Sequence, residues 1–179
     1  MTEVPFPDKV LAIDAALSEV PHAFGGALAL AYYAEPRTTI DIDVNVFVPV
    51  ERLDEVLTPL DALGIDTSAA APRVVRDGQI RLWWSETPVD LFFAYDPFHD
   101  AAARDVERVP FADSTIPILS ATHLVVCKVV FNRAKDWVDI EAIRELGTAI
   151  DTAEVLRWVG RIAGDTDPRY DRVATLLST

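Results

Sequence analysis

Apolar and polar residues alternate almost without a break from Thr39 to Val48, with Ile40, Ile42, Val44, Val46 and Val48 on one face. A period of two is what a strand buried on one side requires, so 39–48 is predicted to be a strand. Upstream, Val10, Leu11, Ala15, Leu17 and Val20 follow helical spacing over 8–20, and Pro21 stops the helix. Ala23-Phe24-Gly25-Gly26 then reads as a short strand that breaks at two glycines into an alanine-rich helix ending near Pro36.

Downstream, 51–63 is predicted as a helix closed by Gly64, 73–84 as a hairpin turning at Asp77-Gly78, and 88–93 as a short strand. A loop containing Pro97, His99 and Pro110 leads to Ile116–Leu119 and to Ser120, a good helix cap. Helices are expected over 121–132, 135–146, 152–163 and 169–177. Strands first and helices later give an α+β (or α/β) architecture: a mixed core over 1–115 and a helical extension over 116–179 packed on it.

Composition narrows the setting. The chain has 179 residues, half of them hydrophobic, enough for one compact domain or a small core with a helical extension. The longest apolar runs, 27–34 and 123–130, fall far short of the roughly 20 residues a membrane span needs, and the N-terminus lacks a basic region. A soluble, cytoplasmic protein without a membrane partner is expected. The single cysteine, Cys127, excludes a disulfide framework and is predicted to be a core residue. A net charge of −13 argues against a broad nonspecific grip on a phosphate backbone. His22, His99 and His123 have no metal-ligand spacing, and Trp83-Trp84 places one ring on each face of a strand.

The chemistry concentrates on acids. Asp41 and Asp43 project from the same side of their strand, about 6.5–7 Å apart, where they repel unless water or a cation intervenes. Asp90 stands among Val89, Leu91, Phe92 and Phe93. One such acid without a partner is costly, whereas three sharing a divalent metal are not. Gly25-Gly26, at a strand-to-helix turn, lets a ligand approach bare backbone.

The order Gly-Gly, helix, Asp-x-Asp on a strand and a lone Asp on a later strand resembles the active-site signature of polymerase β-type nucleotidyltransferases. Gly25 to Leu30 and Arg37 to Val44 are similar to the AbiEii-like branch, which includes toxins of toxin–antitoxin systems. Leu124, Lys128, Arg133, Lys135, Asp136 and Asp139 resemble that branch's helical segment. The resemblance implies a metal-dependent enzyme that moves a nucleotide from a nucleoside triphosphate (NTP) to an acceptor hydroxyl. Asp41, Asp43 and Asp90 would hold Mg²⁺ or Mn²⁺, and Asp90 would also help remove the acceptor's proton. Gly25 and Gly26 would cradle phosphates, Lys128 would neutralise the triphosphate, and Asp136 would orient Lys128. Family analogy points to tRNA as acceptor and an antitoxin as protein partner, with protein side chains and small molecules as the other acceptors.

Each supporting residue also has a plainer reading. Arg37 either binds phosphate or pairs with Asp41 or Glu35. Lys128 and Arg133 fit equally as snorkelling residues on an amphipathic helix, and Lys135, Asp136 and Asp139 as a solvated helix start. A haloacid dehalogenase-like phosphatase fits poorly, because Glu35-Pro36-Arg37 precedes the first acid and the apolar strand continues past the second. A metal-dependent glycosyltransferase lacks its sugar-nucleotide region. The weightier alternative is a non-catalytic or weakly active nucleotide-binding or regulatory module of the same fold.

Overall fold

The computed structural model describes residues 4–68 and 70–178, with side chains described for all of these except 71–73. The chain divides into two compact units. One comprises the residues up to Leu28 together with Thr38–Ile118; the other comprises Ala29–Arg37 and Leu119 onward.

Among the described residues, the first unit is built on a mixed six-stranded sheet. Its strands are β1 (His22–Phe24), β2 (Ile42–Pro49), β3 (Gln79–Trp84), β4 (Thr87–Ala94), β5 (Glu107–Phe111) and β6 (Ser114–Ile118). They lie in the order β3-β4-β2-β1-β6-β5. β2 pairs with β4 in parallel and with β1 antiparallel, which makes it an interior strand. Its alternation has the expected cause: Ile42, Val44, Val46 and Val48 are fully buried. The strand begins at Ile42, however, and Ile40 lies outside it and exposed. Val89, Leu91 and Phe93 of β4 and Ile80, Leu82 and Trp84 of β3 continue the buried layer. Helices α1 (Phe6–Ala16) and α3 (Leu53–Ala62) supply Val10, Ile13, Val56 and Leu60 to the core, and α1 packs against α3 and β6, while α3 packs against β2. The buried Lys9 donates from Nζ to Thr87 Oγ1 at 2.8 Å and to the Trp84 carbonyl at 3.2 Å, tying α1 to the β3–β4 turn.

Several expectations give way here. The segment ending at Asp77 is a helix, α4 (Ala71–Asp77), and Gly78 is its left-handed C-cap, so Asp77-Gly78 does not turn a hairpin. The hairpin instead joins β3 to β4 through Ser85-Glu86, with Ser85 at φ 55°. The presumed loop around Pro97 contains α5 (Pro97–Arg104), started by Asp96 as N-cap with Pro97 in the first turn, and Pro110 lies within β5. The helix expected from residue 51 opens as a 3-10 turn over Val50–Arg52. The helix after Gly25, α2 (Gly26–Leu30), ends early in tight turns, with Tyr32 and Tyr33 N–H groups donating to Ala29 and Leu30 carbonyls.

The second unit holds α6 (Ala121–Phe131), α7 (Ala134–Glu145), α8 (Thr152–Ala163) and α9 (Pro168–Leu177). Ser120, Asp151 and Asp167 cap α6, α8 and α9 by accepting backbone N–H groups. Val125, Val129, Trp137, Ile140, Val155, Trp158 and Val173 form its core. The 29–37 segment is stitched in by the Tyr33 hydroxyl donating to the Leu119 carbonyl (2.9 Å) and the Thr148 hydroxyl donating to the Tyr33 carbonyl (2.8 Å). Cys127 is half-buried on α6 rather than in the core. No helix among the described residues is long and apolar enough to cross a membrane.

Candidate active site

The sheet register decides which acids meet. β2 and β4 run side by side in parallel, with Ile42 opposite Val89, Asp43 opposite Asp90 and Val44 opposite Leu91. Neighbouring strand positions share a face, so Asp43 and Asp90 emerge together on the face opposite the buried valines and leucines. Asp41 stands just before β2, its backbone N–H donating to Thr39 Oγ1 at 3.2 Å.

What these acids surround is an arginine. β3 pairs antiparallel with β4 and sets Arg81 opposite Asp90. The guanidinium grips Asp90 as a fork, Nε donating to Oδ1 at 2.8 Å and Nη2 to Oδ2 at 2.6 Å, and Nη2 also reaches Asp41 Oδ2 at 3.5 Å. Asp90 is 16% exposed, Asp41 36% and Arg81 49%, so the cluster opens to solvent on the arginine side. The Arg81 pKa is raised, first by the hydrogen bonds to Asp90, against burial, and then by the charges of Asp90, Asp41 and Asp43. All three carboxylates therefore act on one cationic centre. Among the described residues no three His, Cys, Asp or Glu side chains form a ready metal cage. The acids are organised on the guanidinium instead.

The glycine turn is fitted to the same acids. The Gly25 N–H donates to the Asp43 carbonyl at 2.9 Å. Gly26 has φ +54°, and a Cβ there would overlap the Asp43 carboxylate. Glycine is thus required at position 26 both by its backbone and by the acid lying against it.

Arg37, Lys128 and Asp136 lie in the second unit and meet a different partner. Lys128 Nζ donates to Asp139 Oδ2 at 2.6 Å, with side chains 5% and 7% exposed. Arg37 joins the same carboxylate, Nη2 donating to Oδ2 at 3.1 Å, so it pairs with neither Asp41 nor Glu35. Asp139, not Asp136, orients Lys128. Asp136 is buried and accepts from the Arg133 backbone N–H at 3.0 Å and from its Nε at 2.8 Å at the start of α7. Burial pushes the Asp136 pKa up, but the Arg133 hydrogen bonds, with the charges of Arg133 and Lys128, prevail and hold it below the usual carboxylate range. At this helix start Lys135 is exposed while Asp136 and Asp139 are buried, and Lys128 is an ion-paired interior residue rather than a snorkelling one.

Sequence reasoning missed Arg81 and undervalued Asp139. For Arg81 the sequence offered only a weak signal: Gln79, Arg81 and Trp83 form the exposed alternation of β3, with Arg81 four residues before the Ser85-Glu86 turn that fixes its register with Asp90.

No family model matches this sequence, and no curated protein matches it. Solved structures do resemble it. The solution structure of the antibiotic-resistance factor ANT(2'')-Ia has TM-score 0.56 at 16% identity, over 94% of this chain and 89% of that one. The lincomycin-bound lincosamide antibiotic adenylyltransferase LnuA has TM-score 0.50 at 13% identity, over 80% of this chain and 98% of that one. An antigenic nucleotidyltransferase-like protein from Paracoccidioides brasiliensis has TM-score 0.50 at 14% identity, over 94% of this chain and 89% of that one. The chain has the nucleotidyltransferase fold.

Proposed function

We propose that the protein is a nucleotidyltransferase that moves a nucleotide from an NTP to an acceptor hydroxyl. The observation that carries this reading is the placing of Asp41, Asp43 and Asp90 around a single cationic centre beside a glycine turn shaped to Asp43. The donor chemistry suits Mg²⁺ or Mn²⁺, since Asp43 and Asp90 on adjacent strands and Asp41 just before β2 offer hard carboxylate oxygens, gathered on Arg81 rather than into a ready cage. Asp41, Asp43 and Asp90 would hold the ion, which when bound polarises phosphate and lowers the pKa of an acceptor hydroxyl. Asp90 would also help remove the acceptor's proton once released from Arg81. By the polymerase β-type resemblance, Gly25 and Gly26 would lie against the phosphates, beside the Asp43 carboxylate that packs on Gly26.

The acceptor is the finer part of the proposal. A role in transfer to tRNA, as a toxin opposed by an antitoxin, follows from the likeness of Gly25–Leu30 and Arg37–Val44 to the AbiEii-like branch. A small hydroxyl-bearing molecule is the acceptor we favour. A structure of ANT(2'')-Ia contains adenylyl-2''-tobramycin and that of LnuA contains lincomycin, and a chain of net charge −13 suits a small or cationic acceptor better than a polyanion. The second reading, a nucleotide-binding module with little or no catalysis, has the Arg81 fork on its side, because that guanidinium already neutralises Asp90.

Incubation with each labelled NTP and Mg²⁺ or Mn²⁺, against total RNA in one arm and aminoglycosides and lincosamides in another, separates these readings. Transfer is expected in the wild type and a loss of at least about a hundredfold in Asp41→Asn, Asp43→Asn and Asp90→Asn, with an unchanged circular dichroism spectrum. Unaltered transfer in any of the three would remove that residue from the site, and no transfer to anything would favour the binding module.

A further inference from the structure

We infer that Arg81 is a built-in counter-ion of the acid cluster, competing with the divalent cation for the same carboxylates. This rests on reading the three acids as a cation site, and adds that the protein carries its own stand-in for the cation. Each Asp90 oxygen already accepts a guanidinium N–H, at 2.8 and 2.6 Å, and Nη2 draws in Asp41 at 3.5 Å. A cation binding those oxygens meets an already neutralised carboxylate and must first break the fork.

Two further features make the fork releasable. Arg81 lies on β3, an edge strand of the sheet, and its side chain is about half-exposed, so a released guanidinium returns to water instead of being stranded in the core. The backbone need not move, because the Arg81–Asp90 register is held by β3–β4 pairing on both sides, from Gln79↔Phe92 to Trp84↔Thr87. Arg81 is thus a positioning residue. In the absence of the divalent cation it holds Asp41 and Asp90 in place despite their mutual repulsion, and it sets the cation concentration at which the site fills.

The test is Mn²⁺ binding to the full chain without any NTP, read by calorimetry or by the spin-resonance signal of free Mn²⁺. In Arg81→Gln, removing the competing ion pair should tighten Mn²⁺ binding about fivefold, the worth of a well-formed, partly exposed pair. The variant should also melt lower than the wild type without metal and recover more on adding it. Arg81→Lys, which keeps the charge but loses the fork, should fall between the two and guards against misfolding of the glutamine variant. Asp43→Asn introduced with Arg81→Gln should weaken binding again, locating the ion at this cluster. Equal or weaker Mn²⁺ binding by Arg81→Gln and Arg81→Lys would overturn the counter-ion role while leaving the acids a cation site. Absence of binding in every form would remove both, and tightened binding without nucleotide transfer would sink only the enzymatic reading.

Discussion

Gly26 shows how one residue ties the backbone to the chemistry. Its φ of +54° is unfavourable for any residue with a Cβ, and the Asp43 carboxylate occupies the space where that Cβ would go. Gly26→Ala should therefore destabilise the protein by about 1–3 kcal/mol and displace Asp43. Part of this cost belongs to the contact and not the backbone, so adding Asp43→Ala should recover some of it. Denaturant unfolding of the two single variants and the double variant measures that coupling. Strict additivity would show that strain at position 26 is all there is. At this scale the sequence was informative wherever a residue was out of place: acids on an apolar strand and paired glycines stand out unaided. Arg81 did not, because an arginine on an exposed strand position looks ordinary until its partner across the ladder is known.

Elements explain why that partner was hidden. Asp77-Gly78 carries a left-handed residue, a requirement shared by hairpin turns and helix C-caps, and only the tertiary setting chose the cap. Reading it as a hairpin pairs 79–84 with the segment before it and so removes β4 from Arg81. The true turn, Ser85-Glu86, has no glycine or asparagine to announce it. Pro97 was misread for a related reason, since a proline after an Asp N-cap starts a helix as readily as it marks a loop. The later helices were legible because Ser120, Asp151 and Asp167 are caps followed by apolar periodicity. The start of α7 makes a pH prediction. Because the folded pKa of Asp136 is depressed, its contribution to stability is present above the unfolded value of about 4 and is lost as pH falls through the folded value. Asp136→Asn should cost about 1–3 kcal/mol near neutrality and flatten the decline of stability below about pH 4. Urea unfolding across that range checks it, and a variant that still loses stability as steeply in acid would place the sensitive group elsewhere.

The whole molecule bears on the acceptor through its charge. With 29 acidic against 16 basic side chains, its field repels polyanions, and several of the arginines and lysines are already committed. Lys128 and Arg37 share Asp139, Arg133 is held by Asp136, Arg169 by Asp167 and Arg81 by Asp90. Each such pairing reduces the cations free to displace the counterions around RNA, and displacing them is what gives nonspecific binding its strength and salt dependence. Fluorescence anisotropy with unfractionated tRNA at physiological salt should accordingly show no saturable binding below about 10 μM, and little change on lowering the salt. A small polycationic acceptor should behave in the opposite way, binding more tightly as salt is removed because the acidic surface draws it in. Tight, steeply salt-dependent tRNA binding would mean that the committed arginines are released on contact, and would return RNA to first place among the acceptors.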